Sequence, residues 1–422
     1  MRVLLVSVTR YFRISFERRI PMNIKSQRIL LGVAVFIFVS TFVMAQEVRE
    51  TSPIESLRDL YDNNKEFRTT MDNAFDYMKD PDPNTADLWP NPTTKNPWKG
   101  KKFDDLLMFF DEWYHLQPTP SGAQDEFNYI EKFSWFYYKN KYGQKIVGND
   151  PGLSWTREFV KARRKILESP ESTATIQQWV DDPAIHIEQY IVPSDGFKSF
   201  NEFFIRDLKP GTRTIASPLD DSVLCSPTDC VLNMINPLTP ETRISIKLNQ
   251  SLNVTELLAG SKYAKYFENG TAISCILLPT TYHHYHAVVS GKVVESREDV
   301  AGAYWGIKDF GAFYNAENIG YGANYSIFEQ FRRGYLVIKT DDYGYVAMIP
   351  VGLDTIGSVV FEDKFLNVTL QNPVPVYKGE KIGHFEYGGS LVIILIEQGI
   401  SSLSIPQGQQ IGIFSSKKTS EY

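Results

Sequence analysis

Tyr387-Gly388-Gly389-Ser390 lies between a lysine-glycine turn at Lys378-Gly379 and the apolar run Leu391-Val-Ile-Ile-Leu-Ile396. Two successive glycines open φ > 0 to the backbone just where the following residues call for a buried strand. A hydroxyl placed directly after them can reach back to the carbonyl of the preceding residue, which is the geometry of an intramolecular acyl shift. The same residues also read as a hairpin turn or bulge entering a core strand. Three histidines cluster in Tyr282-His-His-Tyr-His286, but no acidic or cysteine partner stands at ligand spacing, so no metal is expected there. Asp229, His286 and Ser390 supply the residue types of a hydrolase triad, yet no Gly-x-Ser-x-Gly elbow frames Ser390. Taken singly, His286 reads as a satisfied structural histidine and Asp229 as a turn or cap residue.

The segment Lys378-Gly-Glu-Lys-Ile-Gly-His-Phe-Glu-Tyr-Gly-Gly-Ser390 resembles the self-cleavage segment of the phosphatidylserine decarboxylases, enzymes whose pyruvoyl group is made from their own serine. Further blocks match in the same order: Phe197-Lys-Ser-Phe-Asn-Glu-Phe-Phe-Ile-Arg-Asp-Leu-Lys-Pro-Gly-Thr-Arg213, Ser226-Pro-Thr-Asp229, Tyr282-His-His-Tyr-His286 and Val351-Gly-Leu-Asp-Thr-Ile-Gly-Ser358. The resemblance implies cleavage between Gly389 and Ser390. Ser390 attacks the Gly389 carbonyl, the ester eliminates, and hydrolysis of the dehydroalanine leaves a pyruvoyl cap on residues 390–422, which stay associated with the long chain ending at Gly389. It also implies that the ketone of this cofactor takes up a substrate amine and accepts the electrons left as CO2 departs. By motif position His286 is the base for Ser390, Asp229 supports that histidine, and His283 serves the decarboxylation step. The chain departs from the family pattern at His284, where arginine is common, and at Cys230, where glycine is usual.

Three functions follow as expectations. The leading one is conversion of phosphatidylserine to phosphatidylethanolamine and CO2 at a membrane surface. The second keeps the pyruvoyl chemistry but takes a soluble aromatic amino acid, since some relatives with a helical, aromatic-rich N-terminal extension do so. The third is a secreted binding protein that retains the fold without catalysis, against which the retained processing residues argue.

The elements that must position these residues fall into three regions. Residues 1–45 are rich in arginine, poor in acid, and lead into the uncharged run from Ile29 to Ala45. They read as a secretory signal with Met22 as an alternative start, as a membrane anchor, or as a mitochondrial presequence. Asn249, Asn253, Asn269, Asn324 and Asn367 stand in glycosylation acceptor sequences that suit a secretory route. Residues 46–185 read as helical and rich in aromatic residues. Ser52-Pro53-Ile-Glu55 forms a capping box ahead of one amphipathic helix running to about Lys79. A loop spans Pro81 to Pro97. A second helix has an apolar face of Trp155, Phe159, Ala162 and Ile166 and a basic face of Arg157, Lys161 and Arg164, and a short third one contains Ile176, Trp179 and Val180. These helices are the expected site of peripheral membrane contact, with one apolar face in the headgroup layer.

Residues 186–422 shift to short β-type runs, at Ser222–Cys225, Ala272–Leu278, Gly291–Val294, Gly334–Lys339, Tyr345–Ile349, Gly357–Phe361 and Leu391–Ile396. The fold expected is therefore α+β, a helical N-terminal region packed on a β-rich domain of sandwich or barrel-like form. A hydrophobic content of 43% with 14% aromatics supports a substantial core, and a net charge of −6 provides no basic field for nucleic acid. Three cysteines are too few for a disulfide framework, and one pair at most could bridge.

Overall fold

A computed structural model describes residues 51–78, 97–120, 129, 132, 133, 136, 140–238, 244–246, 250–252, 254–300, 332–353 and 359–397. The candidate signal or anchor segment, most of the Pro81–Pro97 loop, Phe127, Trp135, Tyr137, Tyr138, the acceptors Asn249, Asn253 and Asn324, and Asp354 to Ser358 lie outside these residues. Among the described residues no helix is long and apolar enough to cross a membrane.

The capping box closes as expected, with Ser52 accepting from the Glu55 amide and Glu55 accepting from the Ser52 amide, both at 3.1 Å. The helix it starts, α1 (Pro53–Asn63), nevertheless stops early, and a second, α2 (Lys65–Tyr77), replaces the single run to Lys79. Asn64 makes the break. Its extended backbone ends α1, while its side-chain oxygen accepts the Phe67 amide at 3.0 Å and caps α2. Leu57, Met71, Phe75 and Met78 are all buried in one cluster with α3 (Phe103–His115), α4 (Lys141–Gly148) and α5 (Gly152–Leu167). The apolar face expected to enter a headgroup layer thus packs on the protein's own aromatic core, which includes Phe110, Trp113, Phe133, Phe136 and Trp155.

On α5 the buried stripe is Trp155, Phe159, Arg163 and Leu167, not Trp155, Phe159, Ala162 and Ile166. Strict i, i+4 steps carry Arg163 inward, where its guanidinium donates to the Trp113 and Leu116 carbonyls at the end of α3. Carbonyls of a last helical turn lack i+4 amide donors, and although the Trp113 carbonyl also accepts the Leu116 amide at 3.2 Å, a buried cation there helps to close the helix terminus. After α5 come α6 (Ile176–Val180), which holds the expected third helix, and α7 (Phe200–Phe204). Leu167, Ile176, Trp179, Phe200, Phe203, Phe204 and Tyr387 share one hydrophobic cluster, so the helical region packs directly on the turn before Ser390.

A seven-stranded antiparallel sheet follows, in the order β1 (Val231–Pro237), β4 (Thr271–Leu277), β12 (Gly389–Ile396), β8 (Tyr345–Leu353), β7 (Arg333–Lys339), β6 (Gly291–Val300), β10 (Val374–Val376). A three-stranded sheet, β5 (His284–His286), β11 (Lys381–Phe385) and β9 (Val359–Phe361), lies against it, and β2 (Ile244–Ile246) pairs with β3 (Gln250–Leu252). The large sheet ends at β1 and β10 and does not close, so the arrangement is a sandwich and not a barrel. Ser222–Cys225, expected as a strand, is instead a turned segment, with the Val223 amide on the Asp220 carbonyl.

β12 shows the sandwich logic most clearly. Leu391, Ile393 and Leu395 belong to the core beneath the short helix α8 (Val254–Leu257). Val392, Ile394 and Ile396 belong to the core shared with Tyr285, Ile382 and Phe385 of the small sheet. A period of two along the strand produces this split, and it places Ser390 on the face of Val392 and Ile394, towards the small sheet. In that sheet Gly383 is obligatory, since a Cβ there would sit 2.0 Å from the Val360 carbonyl oxygen.

Candidate active site

Ser390 is the second residue of β12, held between Leu277 of β4 and Gly352 of β8. Its side chain is fully buried, and its Oγ has no hydrogen-bond partner among the described residues. Gly388, just upstream, has φ of 145°, the region that the glycine pair was expected to supply. Nothing in the sheet itself requires a hydroxyl at position 390. Leaving one buried and unpaired costs on the order of 1–3 kcal/mol.

The histidines divide by the same period of two. Tyr282, His284 and His286 line one side: the Tyr282 ring stacks on His284 at 4.8 Å and lies 5.6 Å from His286. Tyr285 points the other way into the inter-sheet core, fully buried. His283 is also fully buried, its ring 3.9 Å from Phe204, which in turn meets the Tyr387 ring edge-on at 5.1 Å. The His283 carbonyl accepts the Phe385 amide at 2.9 Å, which ties this histidine to the strand leading into the Gly-Gly-Ser segment.

Hydrogen bonding assigns the tautomers. His283 Nδ1 lies 2.9 Å from the Thr281 carbonyl, which can only accept, so Nδ1 carries the proton. Nε2 then holds a lone pair, and it is buried with no partner among the described residues. His286 Nδ1 donates to the Gly379 carbonyl at 2.8 Å, and its Nε2 accepts from the Tyr282 hydroxyl at 3.0 Å. The nitrogen expected to serve Ser390 is thus engaged by Tyr282. Asp229 has both carboxylate oxygens on Arg213, at 2.8 and 2.6 Å. It reaches His286 through its field and through the loop that carries it, since the Pro227 carbonyl accepts the His286 amide at 2.8 Å. The structure therefore brings Asp229 beside His286 without a direct hydrogen bond, and it sets His283 apart from both. No hydrogen bond joins Ser390 to any of the three.

Burial keeps these imidazoles neutral. It lowers His283 well below the usual histidine range, with the nearby Arg206 guanidinium acting in the same direction. It also lowers His286, against the opposing hydrogen bond to Gly379. His284 falls to about 3 and His384 to about 4, each chiefly by desolvation and then by the charge of Lys381. A histidine with a depressed folded pKa contributes stability that is complete above its unfolded value near 6.5 and is lost as the pH falls below it. His384 alone is expected to cost on the order of 3 kcal/mol between pH 6.5 and about pH 4. Urea midpoints measured from pH 7 to pH 4 should fall steeply, and His384→Gln should flatten the fall. An unchanged slope in that variant would show that His384 is not protonated on unfolding.

Several residues of this site carried no role from sequence. Arg213 and Tyr282 stand inside the matched blocks, but their pairing with Asp229 and His286 depends on tertiary contacts. Arg206, nearly buried, stacks over Tyr190 at 4.1 Å and donates to the Thr280 carbonyl at 3.1 Å. At the departure positions, His284 donates from Nε2 to the Ile205 carbonyl at 2.6 Å, and the Cys230 thiol lies against that of Cys275. All three cysteines are free.

The sheets and the helices packed on them define an α+β protein with a buried serine at the start of a core strand. The family model for phosphatidylserine decarboxylase matches residues 200–414. A phosphatidylserine decarboxylase proenzyme of Fusobacterium nucleatum is 28% identical over 232 residues, 55% of this chain and 71% of that protein. Proenzyme 2 of Oryza sativa is 28% identical over 265 residues, 62% of this chain and 39% of that protein. Proenzyme 3 of Schizosaccharomyces pombe is 29% identical over 235 residues, covering 56% of this chain and 22% of its own length. The chain belongs to the phosphatidylserine decarboxylase family, a family of carboxy-lyases.

Proposed function

We propose that this protein cuts itself between Gly389 and Ser390 and then, as a pyruvoyl enzyme, converts phosphatidylserine to phosphatidylethanolamine and CO2. The observation that carries this reading is the Ser390 hydroxyl, buried and without a hydrogen-bond partner among the described residues, two positions after Gly388 at the position of the family's self-cleavage serine. In the cut, an Oγ–C bond to the Gly389 carbonyl forms as the Gly389–Ser390 peptide bond breaks, the serine nitrogen taking a proton. Elimination releases the Gly389 carboxyl, and water then displaces ammonia from the dehydroalanine.

These residues fit the group. Formed from Ser390, it would cap β12 and be held by the pairing of that strand with β4 and β8. Bound there, it supplies an electrophilic ketone for the substrate amine and an electron sink for decarboxylation. By motif position His286, supported by Asp229, promotes the cut, for which its Nε2 must exchange the Tyr282 hydroxyl for that of Ser390. A second reading gives the Ser390 proton to His283 and is favoured by the open, buried Nε2 of that residue. In either case His283 can hold a proton at Nε2 and return it during turnover.

The phosphatidylserine substrate follows the names of the relatives. No observation favours a soluble aromatic amino acid, since the described aromatics of the helical region, including Phe110, Trp113 and Phe136, are core. Membrane contact is proposed as peripheral, and a secretory or membrane-anchored location is kept as the reading of residues 1–45. Purified protein is expected to release CO2 from phosphatidylserine vesicles and none from free tryptophan, and to sediment with anionic vesicles at low salt. Turnover of tryptophan with none of lipid would overturn the substrate.

A further inference from the structure

The connector between β11 and β12 is three residues long, Glu386, Tyr387 and Gly388, and the helical region grips the first two. The Glu386 carboxylate is 6% exposed and lies 2.7 Å from Nη2 of Arg164 on α5. Nε of the same guanidinium lies 2.8 Å from Glu168, one turn further along the helix. Next in the connector, the Tyr387 amide points at Asn201 Oδ1 of α7 at 3.4 Å. The Tyr387 ring meets Phe200 and Phe204 edge-on at 5.0 and 5.1 Å. Downstream of the glycines, the pairing of β12 with β4 and β8 fixes Ser390. The chain is therefore clamped on both sides of Gly388, with Gly389 already paired to Leu353 of β8, and the backbone freedom left lies at Gly388.

From this geometry we infer that Arg164 is a positioning residue for self-cleavage, its ion pair with Glu386 holding the Gly389 carbonyl within reach of Ser390. The inference rests on the self-cleavage reading. It gives the helical region a task in maturation, and it accounts for Arg164, a residue of the basic face otherwise expected to meet lipid phosphates. The physical reason is orientation. An intramolecular attack depends on reacting atoms held near contact distance, and a misplacement of about 1 Å costs on the order of a hundredfold in rate. An ion pair whose carboxylate is almost wholly buried resists such displacement better than a solvated one, because water cannot replace the attraction that is lost when the charges separate.

The test follows cleavage of newly made full-length precursor on denaturing gels, with intact masses to locate the cut. Arg164→Gln and Glu386→Gln should each slow cleavage at least about tenfold. Arg164→Lys should restore part of the rate, and the exchange Arg164→Glu with Glu386→Arg should cleave faster than either single reversal. Glu168→Gln removes the other partner of the arginine but leaves the Glu386 pair, and should cleave at the wild-type rate. Urea midpoints of the same variants, each made on Ser390→Ala so that none is cut, keep folding apart from positioning. Rates within twofold of wild type in Arg164→Gln, equal slowing in Glu168→Gln, or slowing that tracks the urea midpoints alone would each overturn the inference. A wild-type chain that is never cut at Gly389–Ser390 would remove the self-cleavage reading itself, and the inference with it.

Discussion

Ser390→Ala is expected to yield a single uncleaved chain with no activity. Denaturing gels should show no fragment starting at residue 390, intact mass should equal the full precursor, and CO2 release from phosphatidylserine vesicles should vanish. The effect is all or none because the serine is both the nucleophile of the cut and the source of the carbonyl group. Stability should move the other way. The Ser390 Oγ is buried without a partner among the described residues, so replacing it by a methyl removes a desolvated polar atom, and the urea midpoint should hold or rise by the equivalent of about 1 kcal/mol. A variant that is inactive, uncut and at least as stable as wild type cannot be explained by misfolding. Recovery of wild-type protein as an active, uncleaved chain would rule out the pyruvoyl mechanism.

His286→Ala and His283→Ala are expected to fail at different stages. Loss of a general base costs roughly 10²–10⁴-fold, so His286→Ala should accumulate precursor over hours while wild type matures. His283→Ala should still be cut and should then lose decarboxylation by a similar factor. Gels at timed intervals and single-turnover CO2 release separate the two. The structure sharpens this comparison, because the histidine with a vacant lone pair is His283, whereas Nε2 of His286 is occupied by Tyr282. If His283→Ala stays uncut while His286→Ala matures, the Ser390 proton goes to His283, and the role of His286 lies in holding the Gly379 turn.

The chemistry-bearing residues were legible because local sequence carries them. Gly388-Gly389 before a hydroxyl and a six-residue apolar run announces a strained entry to a buried strand, and Gly388 does adopt φ of 145°. The capping box at Ser52 and most of the strands were legible for the same reason, since caps and period-two runs depend on neighbours a few residues away. The break at Asn64 was not legible, because an asparagine in a helical pattern either points to solvent or takes the backbone for itself, and packing of α2 against α4 and α5 decides between them.

The short strand at His284–His286 was not among the β-type runs read from the sequence, so the separation of His283 from His286 onto different faces came only with the fold. Which face meets Ser390 depended on how the small sheet stacks on the large one, a matter of side-chain volume at Val392, Ile394, Tyr285 and Phe385. The partners of the charged groups were decided at the same level. Asp229 could have met His286 and meets Arg213, while Arg164 could have faced lipid and meets Glu386. Ion pairs between distant segments are chosen by where the folded chain leaves a buried charge in need of compensation, and no local pattern records that need.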